Sequence, residues 1–219
     1  MTARFVRNFH DRHPPATLFN VRFEFDRIPY RRMHDALDHV DVDVVWPEAP
    51  YAVRSSPSLD LASLQLFNAR IGDNPEQMHF LEAVLARRFP GVPTILRGPF
   101  GTGKTAVMLE AIKQLYTTKP DAHFLVCCET NSAADAFVEQ LDKFVQQNHM
   151  FRVMAFQRSQ DNCSAVVRRY TKFDHALNLY DIPDIERLRQ YRIIVSTVYV
   201  CHHSLTHSLT HSLTHSLTH

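Results

Sequence analysis

Short apolar runs alternate with helical patterns along the chain from residue 92 onward. The runs cover residues 92–97, 123–128, 152–156 and 192–197, and each is short enough for a buried strand. The segments between them place apolar side chains three and four positions apart, which is typical of helices that pack on a sheet. Strands that alternate with helices imply right-handed crossovers and parallel pairing. We therefore predict an α/β fold with a parallel sheet.

Three longer helices are predicted around the first two of these strands. Residues 74–88 open with Asn74, a helix-capping residue, and Pro75, which suits the first helical position. The second predicted helix covers residues 104–116, and the third covers residues 132–148. The apolar face of the second helix is predicted to consist of Val107, Met108, Ala111, Ile112 and Leu115. Shorter helices are predicted over residues 164–170 and 185–190.

The beginning of the chain has a different pattern. Residues 19–27 alternate apolar and charged positions, as a half-exposed strand does, and residues 30–40 have helical spacing. Prolines and serines then accumulate over residues 47–58, which is typical of a linker. We therefore predict part of an accessory β module and a linker over residues 1–57, followed by an α/β domain over residues 58–198.

Residues 199–219 form a low-complexity tail, in which His-Ser-Leu-Thr repeats from His203 to the end. A tandem TCAC tetranucleotide read in triplets encodes this repeat. Histidines four positions apart could share a helix face and bind a metal, but Ser and Thr at half of the positions disfavour a helix. We therefore expect neither a metal site nor a folded element in the tail.

Composition limits the class of protein. The chain has 219 residues, 45% of them hydrophobic, and no apolar stretch reaches the roughly 18 residues of a membrane span. Lys and Arg number 24 against 23 Asp and Glu, so a nucleic-acid partner would need a local basic surface. The cysteines lack C-x-x-C spacing, and Cys127 and Cys128 lie in a predicted buried strand. We expect a globular cytoplasmic protein with reduced core thiols.

The most specific motif follows the first predicted strand. It matches the nucleotide-binding pattern G-x-x-x-x-G-K-[ST] with Gly98, Pro99, Phe100, Gly101, Thr102, Gly103, Lys104 and Thr105. Glycines let backbone N–H groups turn towards phosphate, and a helix N-terminus adds partial positive charge. We expect Lys104 to contact the β- and γ-phosphates of ATP and Thr105 to coordinate Mg²⁺. An ordinary glycine-rich turn would not require the Lys-Thr pair.

Two further groups of polar residues are candidates for ligand binding. Gln77 lies in the first turn of a predicted helix and offers both a donor and an acceptor to an adenine edge, although glutamines are common at such positions. Residues 129–135 follow the second predicted strand, at the carboxyl edge where open α/β sheets bind ligands. Asn131 or Ser132 could equally be a plain helix cap.

Four segments, taken in order, resemble successive motifs of Upf1-like superfamily 1 RNA helicases. They are residues 74–77, 98–105, 125–135 and 192–197. The chain most resembles the zinc-finger-containing helicase branch and its Mov10-like relatives, and residues 21–37 are similar to the segment that precedes the motor in those proteins. The resemblance covers residues 18–198 and implies an incomplete RecA-like helicase domain 1A over residues 58–198.

The resemblance also implies roles for individual residues. ATP would contact Gln77 with its adenine and residues 98–105 with its phosphates, and Mg²⁺ would bind Thr105. The residues implied near the backbone of single-stranded RNA are Asn131, Ser132 and Thr197. Phe100 stands where many members of the family have proline, but its side chain can point away from phosphate.

The acidic DEAA-type motif of the family and its second RecA-like domain do not occur in these 219 residues. Hydrolysis needs Mg²⁺ held from two sides and a group that positions water, so we expect nucleotide binding without turnover at a motor's rate. The predicted parent activity is ATP-dependent RNA unwinding or translocation. Two alternatives stay open: a non-catalytic nucleotide- or RNA-binding fragment, and a P-loop ATPase that acts on DNA.

Overall fold

A computed structural model of the protein describes residues 12–13, 17–18, 27–40, 42, 64–87, 93–155, 158–198 and 200. The strand predicted over residues 19–27 lies outside the described residues except for its last position, and so do the predicted linker and the repeat tail. The domain boundaries predicted after residues 57 and 198 therefore stay predictions.

Helices come first in the described residues, and strands and helices are interspersed from residue 124 onward. The helices are α1 (Ile28–Asp38), α2 (Pro75–Leu85), α3 (Lys104–Thr118), α4 (Asn131–Leu141), α5 (Ala165–Arg169) and α6 (Ile185–Leu188). The strands are β1 (Phe124–Cys128), β2 (Met150–Arg152), β3 (Phe173–Asp174), β4 (Leu179–Tyr180) and β5 (Ile193–Thr197). Short 3₁₀ turns occur at Ala69–Ile71, Gln147–His149 and Gln160–Asn162. No helix in this part of the chain is long and apolar enough to cross a membrane.

Three strands form a parallel sheet in the order β1, β5, β2. In the register of this sheet, Cys128 of β1 lies beside Thr197 of β5, and Met150 of β2 lies beside Ile193. The predicted α/β fold with a parallel sheet is therefore confirmed. Because the three strands run in the same direction, their carboxyl ends lie at one edge of the sheet, and the segments that follow them meet there.

An antiparallel hairpin of β3 and β4 lies between α5 and α6, and the hydrophobic pattern does not predict it. A side-chain oxygen of Asp174 builds the turn by accepting hydrogen bonds from the N–H groups of Ala176 at 2.8 Å and Leu177 at 3.1 Å. Asn178 has a φ of 56°, in the left-handed region that asparagine tolerates. Strands of two residues are too short for periodicity to reveal.

The prediction of a strand over residues 92–97 is wrong for the part of this segment that the structure describes. Residues 93–97 form no strand, and Ile95 is 84% exposed. None of β1, β2 and β5 pairs with this segment, and Pro93 has no N–H to offer a partner strand. Leu96 packs instead with the cluster of buried side chains between α2 and α3. The apolar run therefore leads into the glycine-rich loop without joining the sheet.

The predicted bounds of one helix and one strand are also wrong. The helix predicted over residues 132–148 ends at Leu141, because the chain turns and then forms the 3₁₀ turn Gln147–His149. The strand predicted over residues 152–156 is instead Met150–Arg152. The connection after α4 is short, so β2 begins earlier along the chain than the apolar pattern predicts.

The core of the described residues consists of three clusters. The largest lies between one face of the sheet and helices α3, α4 and α5, and its fully buried members include Ala134, Val138, Leu141, Val167, Ile193 and Val195. The second lies between α2 and α3. The third lies on the other face of the sheet and contains Phe151, Val153, Leu188 and Val200. The sheet is thus covered on both faces at β2 and β5.

Helix α3 packs against two of these clusters, so its buried face differs from the predicted one. Leu109 belongs to the largest cluster, and Val107 belongs to the second. Met108, predicted on the buried face, is 43% exposed. Glu110 and Gln114 are buried instead, and these polar side chains need hydrogen-bond partners inside the protein.

Cys128 and Cys163 are free thiols, as predicted, and both are buried. The predicted burial of Cys127 is wrong, because its side chain is exposed. Leu125, on the same face of the edge strand β1 as Cys127, is also exposed. Burial raises the pKa of the Cys128 thiol.

Candidate functional site

Two glycines shape the loop formed by residues 98–105. Gly101 has a φ of 79° and Gly103 a φ of 85°, in the left-handed region that favours glycine. Gly103 also lies against Gln77, since a Cβ atom at this position would be 2.9 Å from the side-chain nitrogen of that residue. Backbone conformation and close approach therefore both explain why the motif has glycine here.

Helix α3 begins at Lys104, within this motif, and has no side-chain cap. By contrast, Asn74 caps α2 and Thr130 caps α4, each through a side-chain oxygen that accepts a backbone N–H. The first N–H groups of an uncapped helix have no intrahelical partner and carry a partial positive charge. The N-terminus of α3 is therefore suited to bind an anion such as a phosphate group.

Lys104 folds back over the loop. Its ammonium donates hydrogen bonds to the carbonyl oxygens of Gly98 at 2.8 Å and Pro99 at 2.6 Å. The Thr102 hydroxyl donates to the carbonyl of Pro99 at 2.9 Å. The ring of Phe100 is exposed to solvent, with its centroid 5.9 Å from the ammonium. A positive charge is thus held at the loop, next to the uncapped helix.

Gln77 reaches the loop from α2. Its side-chain amide donates a hydrogen bond to the carbonyl oxygen of Thr102 at 2.9 Å. The start of α2 is fixed by Asn74, whose side-chain oxygen accepts the N–H groups of Glu76 at 3.0 Å and Gln77 at 3.1 Å. The structure therefore brings Gln77 and the loop together, whereas the role of Gln77 at adenine stays a prediction.

A buried carboxylate on α3 holds the segment that leads into α2. Glu110 is 2% exposed and accepts the backbone N–H groups of Phe67 at 2.9 Å and Asn68 at 3.0 Å. The side-chain amide of Gln114 donates to Glu110 at 2.9 Å and to the carbonyl of Gln65 at 2.8 Å. The hydrophobic pattern did not predict this pair, although polar residues inside an otherwise apolar helix pattern are a signal for it.

The cap of α4 is Thr130, so the alternative prediction of Asn131 or Ser132 as cap is wrong. The Thr130 hydroxyl accepts the N–H of Ala133 at 3.2 Å and lies 3.1 Å from the hydroxyl oxygen of Ser132. Asn131 and Ser132 are both exposed at the carboxyl edge of the sheet. Thr130 caps the helix because it is the residue with extended backbone just before the first helical position.

Thr197 lies at the same edge, because it is the last residue of β5 and pairs with Cys128. It is only 4% exposed, and its hydroxyl accepts the N–H of Val200 at 3.4 Å. The structure thus brings Asn131, Ser132 and Thr197 to one edge of the sheet. The first two lie on the surface, and Thr197 lies beneath it.

Two arginines and one aspartate form an ion network behind Asn131. Arg152 is 0% exposed and donates to Asp135 at 3.1 Å and to the side-chain oxygen of Asn131 at 2.9 Å. Arg158 binds both carboxylate oxygens of Asp135, at 3.1 Å and 2.5 Å. Burial lowers the pKa of Arg152 while Asp135 raises it, and the hydrogen bond to Asp135 raises the pKa of Arg158.

The roles of Arg152 and Arg158 were not predicted from the sequence. Arg152 lies among apolar residues in Met150-Phe-Arg-Val-Met154, and a charge inside an apolar strand pattern requires a buried partner. That signal identifies Arg152 as unusual. It does not identify Asp135 as the partner, because the two residues meet only after α4 packs against the sheet.

A parallel α/β sheet together with a glycine-rich loop that opens a helix defines a RecA-like P-loop domain. Comparison with known protein families matches residues 73–190 to the AAA domain. The chain belongs to this AAA-domain family, and its relatives are named as helicases. No solved structure matches the chain.

Three of these relatives illustrate the similarity. Putative helicase mov-10-B.2 of Danio rerio is 31% identical over 194 residues, which are 86% of this chain and 19% of that protein. Probable helicase with zinc finger domain of Homo sapiens is 26% identical over 204 residues, 86% of this chain and 10% of that protein. RNA helicase Mov10l1 of Homo sapiens is 31% identical over 157 residues, 68% of this chain and 12% of that protein.

The resemblance to Upf1-like helicases of the Mov10-like and zinc-finger-containing branches is thereby confirmed. The chain spans at most 19% of the length of the relatives described above. The printed names describe helicases, and that of Mov10l1 describes an RNA helicase.

The buried position of Glu110 leads to a stability prediction. The substitution Glu110→Ala removes the charged acceptor of two backbone N–H groups. The free energy of unfolding should therefore fall by about 2 to 4 kcal/mol. Urea denaturation measures this change. Glu129→Ala is the control, since Glu129 is exposed, and it should change stability by less than about 0.5 kcal/mol. Equal stability of Glu110→Ala and the unmodified chain would contradict the assigned role.

Proposed function

We propose that the chain is the ATP-binding portion of an ATP-dependent RNA helicase and that residues 98–105 are its Walker A motif. The main support is the uncapped N-terminus of α3, which follows two left-handed glycines and lies next to the Lys104 ammonium. Backbone donors and a cation at one place fit the β- and γ-phosphates of a nucleotide. Gln77, which contacts the loop, is the proposed adenine ligand.

Mg²⁺ is the proposed metal, with Thr105 as its protein ligand. Thr105 is exposed and lies in the first turn of α3, where its hydroxyl can reach a cation bound to phosphate. The described residues contain no group of three or more His, Cys, Asp or Glu suited to hold a metal. Thr105 and the phosphates of the nucleotide would hold the cation, which would neutralise part of the phosphate charge.

Single-stranded RNA is the proposed second ligand, at the carboxyl edge of the sheet. The exposed Asn131 and Ser132 offer polar side chains there, and Thr197 supports the edge from below. The relative Mov10l1 is named an RNA helicase, which favours RNA over DNA. ATP-dependent unwinding or translocation would be the activity of the whole protein, and a cytoplasmic location belongs to the same proposal.

A second candidate function is nucleotide or RNA binding without catalysis. It is favoured by one feature of the sequence: after Thr105, no apolar run is followed by Asp-Glu in these 219 residues. Phosphoryl transfer to water needs such an acid opposite the threonine to hold Mg²⁺. Both candidate functions use the same proposed nucleotide site, and they differ in whether the chain hydrolyses ATP.

The nucleotide site is tested by Lys104→Ala. Removing the ammonium deletes a charge-assisted contact worth about 1.5 to 3 kcal/mol, so the affinity for ADP or ATP should fall tenfold or more. Titration of a fluorescent adenine nucleotide measures the affinity. Lys143→Ala, at an exposed lysine of the segment after α4, is the matched control and should bind as the unmodified chain does. Equal affinity in Lys104→Ala would refute the site.

Turnover is tested by measuring ATP hydrolysis of the 219-residue chain with and without RNA. We expect binding without hydrolysis at a motor's rate, because one side of the Mg²⁺ site lacks an acid. RNA-stimulated hydrolysis that disappears in Lys104→Ala would contradict this expectation. It would show that an acid elsewhere in the chain completes the site, and it would favour the motor over the binding function.

A further inference from the structure

We propose that Arg152 is a positioning residue for RNA binding, whose buried guanidinium holds the side-chain oxygen of Asn131 so that the amide NH₂ of Asn131 faces outward to donate to an RNA phosphate. The inference rests on the proposed RNA contact at Asn131. It adds a residue that touches no RNA itself and that none of the helicase motifs in the sequence includes.

The chemistry of arginine determines which way the amide of Asn131 is turned. A guanidinium group carries donors and no acceptor. The Asn131 atom that lies 2.9 Å from Arg152 and 3.4 Å from Arg158 must therefore be its oxygen. The NH₂ group then lies on the far side of the amide, and no hydrogen bond from it to another described residue is present. Since Asn131 is exposed, this donor is available to a ligand.

Arg152 itself is held rigidly. Its guanidinium donates in three directions, to Asp135, to Asn131 and to the carbonyl of Val153 at 2.5 Å. Arg158 fixes Asp135 from the other side through two parallel hydrogen bonds. A planar guanidinium with a hydrogen bond at each of its three nitrogens is fixed in one orientation, and this orientation fixes the position of the Asn131 oxygen.

The charge around Asn131 also suits a phosphate. The two guanidinium groups of Arg152 and Arg158 face the single carboxylate of Asp135, which leaves one positive charge behind the amide. Asn131 is the first residue of the 11-residue helix α4, whose N-terminus adds partial positive charge. A network that served only to attach α4 to β2 would not need to include an exposed amide.

A double-mutant cycle on RNA affinity tests the proposal in the 219-residue chain. The variants are Asn131→Ala, Arg152→Lys and the double variant, and the probe is a fluorescein-labelled oligouridylate. Lysine keeps the charge but cannot hold Asp135 and Asn131 together, because it lacks the planar fork of arginine. We expect each single variant to bind RNA about tenfold more weakly. The double variant should be no weaker than Asn131→Ala alone, and ADP affinity should not change.

The possible results separate this inference from the proposed function. If the unmodified chain binds no RNA, or if Asn131→Ala binds as the unmodified chain does, the RNA contact itself is wrong. If Asn131→Ala weakens RNA binding but Arg152→Lys does not, only the positioning role is wrong. Losses that add in the double variant would also overturn it, because additive effects mean that the two residues act independently.

Asn131→Asp gives a second test that leaves Arg152 unchanged, in case Arg152→Lys does not fold. Its carboxylate can still accept from both arginines, so thermal stability should be kept or raised. The outward NH₂ is replaced by a negatively charged oxygen, so RNA affinity should fall further than in Asn131→Ala. Asn148→Ala, at an exposed amide just before β2, is the control and should bind RNA normally. Unchanged RNA affinity in Asn131→Asp would overturn the proposal.

Discussion

The central strand β5 is hydrogen-bonded to β1 on one side and to β2 on the other, and the position of every candidate ligand group at the sheet edge depends on this pairing. Parallel pairing places Cys128 beside Thr197, so the segments after β1 and β5 begin at the same level. Both faces of β5 are buried, which explains its uninterrupted apolar sequence before Ser196. A register shift of one residue would turn its core side chains to the opposite face.

Buried polar groups connect this sheet and the glycine-rich loop to their surroundings. Glu110 joins α3 to the segment before α2, and thereby sets where Gln77 meets the loop. Arg152 joins β2 to the start of α4. A buried charge is costly unless its hydrogen bonds are satisfied, so each network restricts the geometry of its neighbours. The proposed RNA site is next to the second of these networks.

Local features of the sequence predicted much of the fold and the glycine-rich loop that is the candidate nucleotide site. Asn74 and Pro75 mark the start of α2, the motif at residues 98–105 marks the loop, and Ile193–Thr197 is apolar enough to be recognised as a strand. Each of these depends on a few neighbouring residues. The resemblance to a helicase family came from the order of such local motifs.

Features that depend on distant neighbours could not be predicted in the same way. The apolar residues 93–97 form no strand, because a strand needs a partner that periodicity does not supply. Cys127 is exposed although it lies in an apolar run, because β1 is at the edge of the described sheet. The pairing of Arg152 with Asp135 depends on how α4 packs against the sheet. The sequence therefore indicates that Arg152 needs a buried partner, but it does not identify Asp135 as that partner.

The claim that residues 98–105 form the nucleotide site can be tested residue by residue with amide NMR spectra of the chain during titration with Mg²⁺ and ADP. We expect the largest chemical-shift changes at Gly101, Gly103, Lys104 and Thr105, with smaller changes at Gln77. Such changes would identify the backbone N–H groups at the start of α3 as the donors that bind phosphate. Saturating nucleotide that leaves these amides unchanged, or that shifts a different surface, would contradict it.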